Sequence, residues 1–371
     1  MHYQERILVW LSISVLVLFI QPISALELVR GPYLQSTTSS KTILCFRTSE
    51  VSTVKVEFTD GFTIRTISST ARDHTVNLTN LKTDKRYKYK ILSDGKLLAG
   101  KYSFRTAPPQ NGFGTLRGAV IGDSGKAGQA QNQVIAQMQK WKPDILIHVG
   151  DIVYPNGADE DYDLKFFQPL AKLLRSIPFF PCIGNHDAQS LEVYLKNYVL
   201  PERSGTERYY TYRYGPVQFI VIDSNLNYLP GSEQYQWLEK VLKARKRKSE
   251  WRVAYMHHPA FSSGKHGDTI DIQKYLVPLF KRRVNLVLSG HDHIYDRSMV
   301  GEGAGRKVPY IVSGGGGTDL FEVVPKPNSS VALSAHHFVA FKAFKGTILK
   351  RLRVKAISSQ GQILDSLVAG K

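Results

Sequence analysis

Gly150-Asp151-Ile152-Val153-Tyr154 is the stretch around which the chain is read. It follows an apolar run, Ile145 to Val149, that lies between Pro143 and Gly150 and has the pattern of a buried strand. The glycine lets the backbone turn sharply, leaving Asp151 at the strand's C-terminal edge, where α/β sheets build their sites. A carboxylate there can bridge two cations, and the phenol of Tyr154 can bind one of them. Alone, a Gly-Asp pair after a strand reads as a turn or a helix cap. Four further stretches end apolar runs in the same way, and that changes the reading.

These are Gly122-Asp123-Ser124-Gly125, Gly184-Asn185-His186-Asp187, His257-His258-Pro259 and Gly290-His291-Asp292-His293. Carboxylate, imidazole, amide oxygen and phenolate suit borderline and harder cations, and no thiolate sits among them. In an extended segment His291 and His293 would share a face. Each could then meet a different one of two ions about 3.5–4 Å apart.

Outward from these turns the chain divides in two. From Leu28 to Thr106 it alternates apolar and polar residues in short runs: Thr42–Phe46, Val54–Phe58, Thr63–Ile67, His74–Leu78 and Tyr87–Ile91. Strands at this spacing without helical segments predict a β-sandwich over residues 26–108, in which His74 is a strand residue and not a ligand. Ala107-Pro108-Pro109-Gln110-Asn111-Gly112 reads as a linker. From residue 109 to 371 strands alternate with helical periodicity at Gln129–Trp141, Leu164–Leu174 and Glu233–Lys243, which predicts a layered α/β domain.

Composition fits an exported globular protein. The 371 residues are 42% hydrophobic and 22% charged, with a formal net charge of +18. Residues 1–25 have the form of a secretory signal, with Arg6 before the apolar run Ile7–Ile20 and Ile23-Ser24-Ala25 as cleavage site. The run is shorter than the roughly 18 residues that span a bilayer, so no membrane span is expected once it is removed. The mature protein would be secreted, or periplasmic in a bacterium. Cys45 and Cys182 read as buried thiols, and Asn77 and Asn328 head glycosylation patterns. The basic excess points to anionic surroundings. The run Lys243–Lys248, however, reads as a solvated helix end favoured by the helix dipole, and no specific nucleic-acid binding is expected.

The five turns, in this order and spacing, resemble the metallophosphoesterase (calcineurin-like) superfamily. Tyr154 and the preceding sandwich resemble its purple acid phosphatase branch, and Leu78–Tyr87 resembles the tyrosine corner of fibronectin type III-like domains. The resemblance implies an α-β-β-α layered catalytic domain and a binuclear centre. One ion, Fe(III), would take Asp123, Asp151, Tyr154 and His293. A divalent Fe, Zn or Mn would take Asp151, Asn185, His257 and His291. It also implies an acid-base role for His266, nine residues after His257, and a substrate-phosphate contact for His186. Beside these, His258 is expected to be structural, Asp187 and Asp292 to orient imidazoles, and Gly314–Gly317 to allow close backbone packing. His336 and His337 stay unassigned.

The activity implied is hydrolysis of a small phosphate monoester by metal-activated hydroxide, with an acid working range. Two alternatives stay open: a phosphodiesterase or pyrophosphohydrolase on the same site, and a secreted binding protein with a vestigial one.

Overall fold

The computed structural model describes residues 25–110, 114–202, 204–244, 251–301, 307–346 and 350–369. The expected signal segment before Ala25 and residues 245–248 of the basic run lie outside these.

β1 (Leu28–Gln35), β2 (Thr42–Thr59), β3 (Ile64–Leu78), β4 (Arg86–Ser93) and β5 (Lys96–Arg105) form the N-terminal β domain. Thr42–Phe46 and Val54–Phe58, expected as separate strands, are joined in the 18-residue β2 across a register shift between Arg47 and Ser52. The connecting Thr48, Val51 and Thr53 favour extended backbone, so no turn separates the runs. β3 likewise joins the next two. The first part of β2 pairs with β1 and the end of β3, while its second part pairs with β4 and the start of β3. Leu44, Phe46, Val56, Phe58, Val76 and Tyr87 from these two groups share one buried core. The Lys82 N–H donates to the Tyr87 hydroxyl at 2.8 Å, closing the turn before β4. His74 is buried and bonded to Thr48 and Ser69, as a strand residue.

The α/β domain runs through β6 (Gly114–Ile121), α1 (Gln129–Trp141), β7 (Ile145–His148), α2 (Asp159–Tyr162), α3 (Gln168–Leu174) and β8 (Phe179–Pro181). It continues through α4 (Leu191–Asn197), β9 (Tyr210–Tyr214), β10 (Val217–Val221), α5 (Glu233–Lys243), β11 (Trp251–Tyr255), α6 (Val277–Phe280) and β12 (Leu286–Ser289). β13 (Tyr295–Val300), β14 (Val308–Ser313), β15 (Ser329–Leu333), β16 (His337–Lys345), β17 (Lys350–Ser358) and β18 (Ile363–Ala369) complete it.

Two sheets result, ordered β18-β17-β16-β6-β7-β8 and β15-β13-β14-β12-β11-β10-β9. Alternation along β10–β12 explains the layering. Val217, Phe219, Val221, Val253, Tyr255 and Leu288 join the core shared with the other sheet. Their neighbours Ile220, Ala254 and Val287 face Leu238 and Leu242 of α5. β6, β7 and β8 run parallel, as do β10, β11, β12 and β14, so their C-terminal ends gather at one edge.

The β domain is stitched to this body. Buried Arg30 binds Asp159 at 2.7 Å, Asp163 at 2.6 Å and Asn197 at 2.6 Å. Arg47 reaches Asp159 at 2.8 Å and also pairs with Asp73. Leu34 of β1 forms a parallel bridge with Pro178 beside β8. Cys45 and Cys182 are buried free thiols, and Asn77 and Asn328 are exposed.

Candidate metal centre

Every quoted turn lies at the gathered strand ends. Asp123 follows β6, Asp151 follows β7, Asn185 and His186 follow β8, His257 follows β11 and His291 follows β12. The backbone there is forced. Asp123, Asp151 and His291 have φ of 54°, 53° and 73°, a left-handed conformation that L-residues adopt only when the surroundings compel it. The glycines make room for the carboxylates. A Cβ at Gly184 would fall 2.0 Å from Asp151 Oδ1, and one at Gly290 would fall 2.4 Å from Asp123 Oδ2.

All seven expected ligand side chains meet in two sets. In the first, the Tyr154 hydroxyl lies 2.9 Å from Asp151 Oδ2, 3.3 Å from Asp123 Oδ1 and 3.2 Å from His293 Nε2. In the second, Asn185 Oδ1 lies 3.0 Å from both His257 Nε2 and His291 Nδ1. Asp151 belongs to both, since its Oδ2 is also 3.4 Å from His257 Nε2. Asp123, Asp151 and His257 each place a ligand atom within 4.8 Å of the others. His291 and His293 reach different sets, but from a tight turn and not from an extended segment. Asp292 N–H bonds to Gly290 O at 2.9 Å and Ile294 N–H to Asp292 O at 2.7 Å.

The donor set fits iron, zinc or manganese, being all oxygen and imidazole nitrogen. Two imidazoles are already oriented for it. His257 Nδ1 is 2.8 Å from the Val149 carbonyl and His293 Nδ1 is 2.7 Å from the Asp319 carbonyl, which turns each Nε2 inward.

Electrostatics show how strained the acid cluster is. Burial, with the neighbouring Asp151 charge, pushes Asp123 well above the usual carboxylate range and Asp187 up to about 7. Burial and then Asp123 and Asp151 raise the Tyr154 phenol as well. Burial also opposes charge on Asp151, yet His257 holds it below the usual range. Burial opposes the charge on His257 in turn, and Asp151 raises it to about 10. His258 and His291, half-buried beside that imidazolium, fall to about 3 and about 2. Burial thus keeps protons on Asp123 and Tyr154 as well as on His257, and a bound cation is what would displace them.

The remaining expected residues fall as follows. His266, exposed at the mouth, bonds through Nδ1 to buried Asp292 at 2.9 Å, and its ring lies 4.2 Å from that of His291. His186 is fixed by Nδ1 on the Pro155 carbonyl, with Nε2 3.9 Å from Asp151 Oδ2. His258 bonds to Ser224 at 2.8 Å. Asp292 orients an imidazole, but that of His266 and not of the neighbouring ligands His291 and His293. Asp187 does not: it accepts the backbone N–H groups of Gly184 and Ile152, both at 2.9 Å, and so fixes the turns bearing Asn185 and Asp151. Gly316 packs where a Cβ would lie 2.1 Å from Gly122 O. His337 is buried and bonded to Ala335 O, away from the centre. Phe321, absent from the sequence reading, stacks on His293 at 4.1 Å and stands 5.4 Å from His266. A lone aromatic in a loop carries no motif that would have marked it.

Residues 116–295 match the family model described as calcineurin-like phosphoesterase. Those residues carry a calcineurin-like phosphoesterase domain. Its relatives extend the likeness. A probable purple acid phosphatase 20 of Arabidopsis thaliana is 32% identical over 236 residues, covering 58% of this chain and 53% of that protein. A probable inactive purple acid phosphatase 1 of the same plant is 25% identical over 357 residues, covering 80% of this chain and 57% of that protein. The chain thus spans about half the length of the curated relatives it matches. In fold, the calcineurin-like phosphoesterase domain and the β domain together resemble purple acid phosphatase PPD1 from yellow lupin (Lupinus luteus) seeds. The TM-score is 0.78 at 21% identity, over 91% of this chain and 74% of that one.

Proposed function

We propose that the chain hydrolyses phosphate monoesters at a two-metal site of the purple acid phosphatase kind, as an exported protein with an acid working range. The observation that carries this reading is the convergence of seven donors into two sets sharing Asp151. Asp123, Asp151, Tyr154 and His293 would hold Fe(III), and Asp151, Asn185, His257 and His291 a divalent Fe, Zn or Mn. Bound there, such ions clamp phosphate oxygens and acidify water, the trivalent one most strongly.

The chain's own groups do the rest. His186, pinned by Pro155 O, presents Nε2 to the pocket and offsets charge growing on a phosphoryl oxygen. His266 donates its proton to the leaving alkoxide. Asp292 receives the backbone N–H groups of His266 and Gly267 besides the imidazole, so the acid is aimed and not left to swing. Export rests on residues 1–25. Among the described residues no helix is long and apolar enough to cross a membrane.

The test is metal content and visible spectrum of the purified protein, with turnover of a monoester and a diester. Two metals per chain including iron, a visible band and faster monoester turnover are expected. A colourless two-metal protein would remove Tyr154 from ferric iron, and faster diester turnover would replace the monoesterase reading. No metal after reconstitution would overturn the proposal.

A further inference from the structure

Charge outside the pocket is unevenly matched. Lys82 pairs with Asp60, Lys90 with Glu57, Arg297 with Asp365 and Lys326 with Asp268. Lys342, Arg351, Arg353 and Lys355 differ, for none of their four side chains has an ion-pair or hydrogen-bond partner among the described residues. Strand pairing puts them on one face. Lys342 is opposite Arg353, Phe344 opposite Arg351 and Ala340 opposite Lys355, and across the other edge of β16 Lys342 is opposite Arg117. Directly paired residues point the same way, and like charges so placed repel. Arg117 is engaged elsewhere, over the Trp141 ring at 4.4 Å. Lys342, Phe344, Arg351 and Arg353 line a hollow of about 140 Å³.

This hollow is not an extension of the pocket. Lys342 aligns with Arg117 in β6, whereas Asp123 follows the far end of that strand. At about 3.3 Å per residue the two places are roughly 20 Å apart.

We infer that this face binds an acidic polysaccharide, with one sugar ring against Phe344 and its acid groups, and those of its neighbours, on Lys342, Arg351, Arg353 and Lys355. Guanidinium forks match carboxylate and sulfate oxygens in two-point contacts. An aromatic ring held between cations suits a unit that is apolar on one face and charged at its edge. A bilayer would call for protruding apolar side chains, and the hollow is lined by cations around one half-buried ring, Phe344. Single-stranded nucleic acid would call for a series of stacking rings. Each contact is weak in water, and a repeating polymer sums them. Because the hollow and the pocket are at opposite ends of β6, a docked molecule keeps its pocket open.

The test titrates the whole metal-loaded protein with polygalacturonate and with heparin, at low and at physiological salt. Duplex DNA and anionic phosphatidylglycerol vesicles serve as comparisons. Glycan binding that weakens with salt is expected, reduced about tenfold or more in the double variant Lys342→Glu/Arg353→Glu. Phe344→Ala is expected to weaken glycan binding while leaving DNA binding unchanged. Both variants should keep the wild-type unfolding midpoint, which reports folding whether or not the phosphatase reading holds. They should also keep wild-type turnover of an aryl phosphate. No glycan binding by the wild type, or equal affinity in the charge-reversed variant, overturns the inference. Equal affinity for DNA or vesicles with no effect of Phe344 overturns the polysaccharide assignment.

Discussion

At the seam between the domains, Arg30 and Arg47 meet Asp73, Asp159 and Asp163; in the pocket, Asp123, Asp151 and Asp187 have His257 as their principal cation. The pocket takes its carboxylates out of water, whereas the seam buries the guanidinium of Arg30 and leaves Asp73, Asp159 and Asp163 partly exposed. At the seam, burial opposes the charge of Asp159, but bonds from Arg30 and Arg47 hold its pKa at about 2. In the pocket, burial and like charge win, and Asp187 rises to about 7. The seam is balanced by groups the chain provides. The pocket is poised for positive charge from outside, and that difference separates a joint from a site.

The comparison breaks most visibly if the bridging carboxylate is removed. Asp151→Asn should lose both metals and reduce turnover on the order of 10⁴-fold or more, measured by metal analysis and kcat on one preparation. Retained turnover would end the bridging role. His266→Ala should cost about 10²–10⁴-fold on alkyl esters and much less on aryl esters, whose leaving groups need no proton. Equal losses on both would argue against His266 as the acid.

The seam is tested through stability. Arg30→Met leaves Asp163 without its cation and Asp159 with Arg47 alone; both carboxylates being partly exposed, it should destabilise by about 1–3 kcal/mol in denaturant unfolding, with kcat unchanged at 25 °C. A cost below about 1 kcal/mol would place the cluster with ordinary surface pairs. The smallest effects are in pH. Asp159 is depressed from 3.8, so its contribution is present above that value and fades as pH falls through about 2. Arg30→Met should flatten this acid limb. Asp187 is raised from 3.8, so its protonated form favours the fold at low pH, and that contribution is lost as pH rises through about 7. Metal loading should remove this loss and release protons, which calorimetry in buffers of different ionisation enthalpy would detect.

Sequence alone exposed the parts of the molecule that repeat a local rule. Each ligand turn couples a buried strand to a glycine and a polar residue, and Gly184 and Gly290 show why: a methyl there would sit on the oxygens of Asp151 and Asp123. Partners with no side-chain signature stayed hidden. The Val149 and Asp319 carbonyls that orient His257 and His293 are backbone atoms, and any residue could supply them. Asp187 was assigned to an imidazole because its neighbours are imidazoles, whereas its carboxylate spans two backbone turns. β2 reads as two runs in the sequence because Ser49, Glu50 and Ser52 interrupt the apolar alternation, and pairing with β3 on either side of them, at Arg47 and at Ser52, carries one strand through. The cationic face of β16 and β17 was hidden for a related reason. Only strand register brings Lys342 beside Arg353.

The bridge between Leu34 and Pro178 has a consequence for how the molecule comes apart. Tyr33, Ile43 and Cys45 of the β domain are packed in the same core as Val120, Phe179 and Tyr198 of the α/β body. Cutting the chain near residue 108 would therefore expose greasy surface on both fragments instead of freeing two modules. Heating the intact protein should yield one calorimetric peak with matching van't Hoff and calorimetric enthalpies. The β domain, none of whose described residues joins the candidate metal centre, would then share in its thermal lifetime.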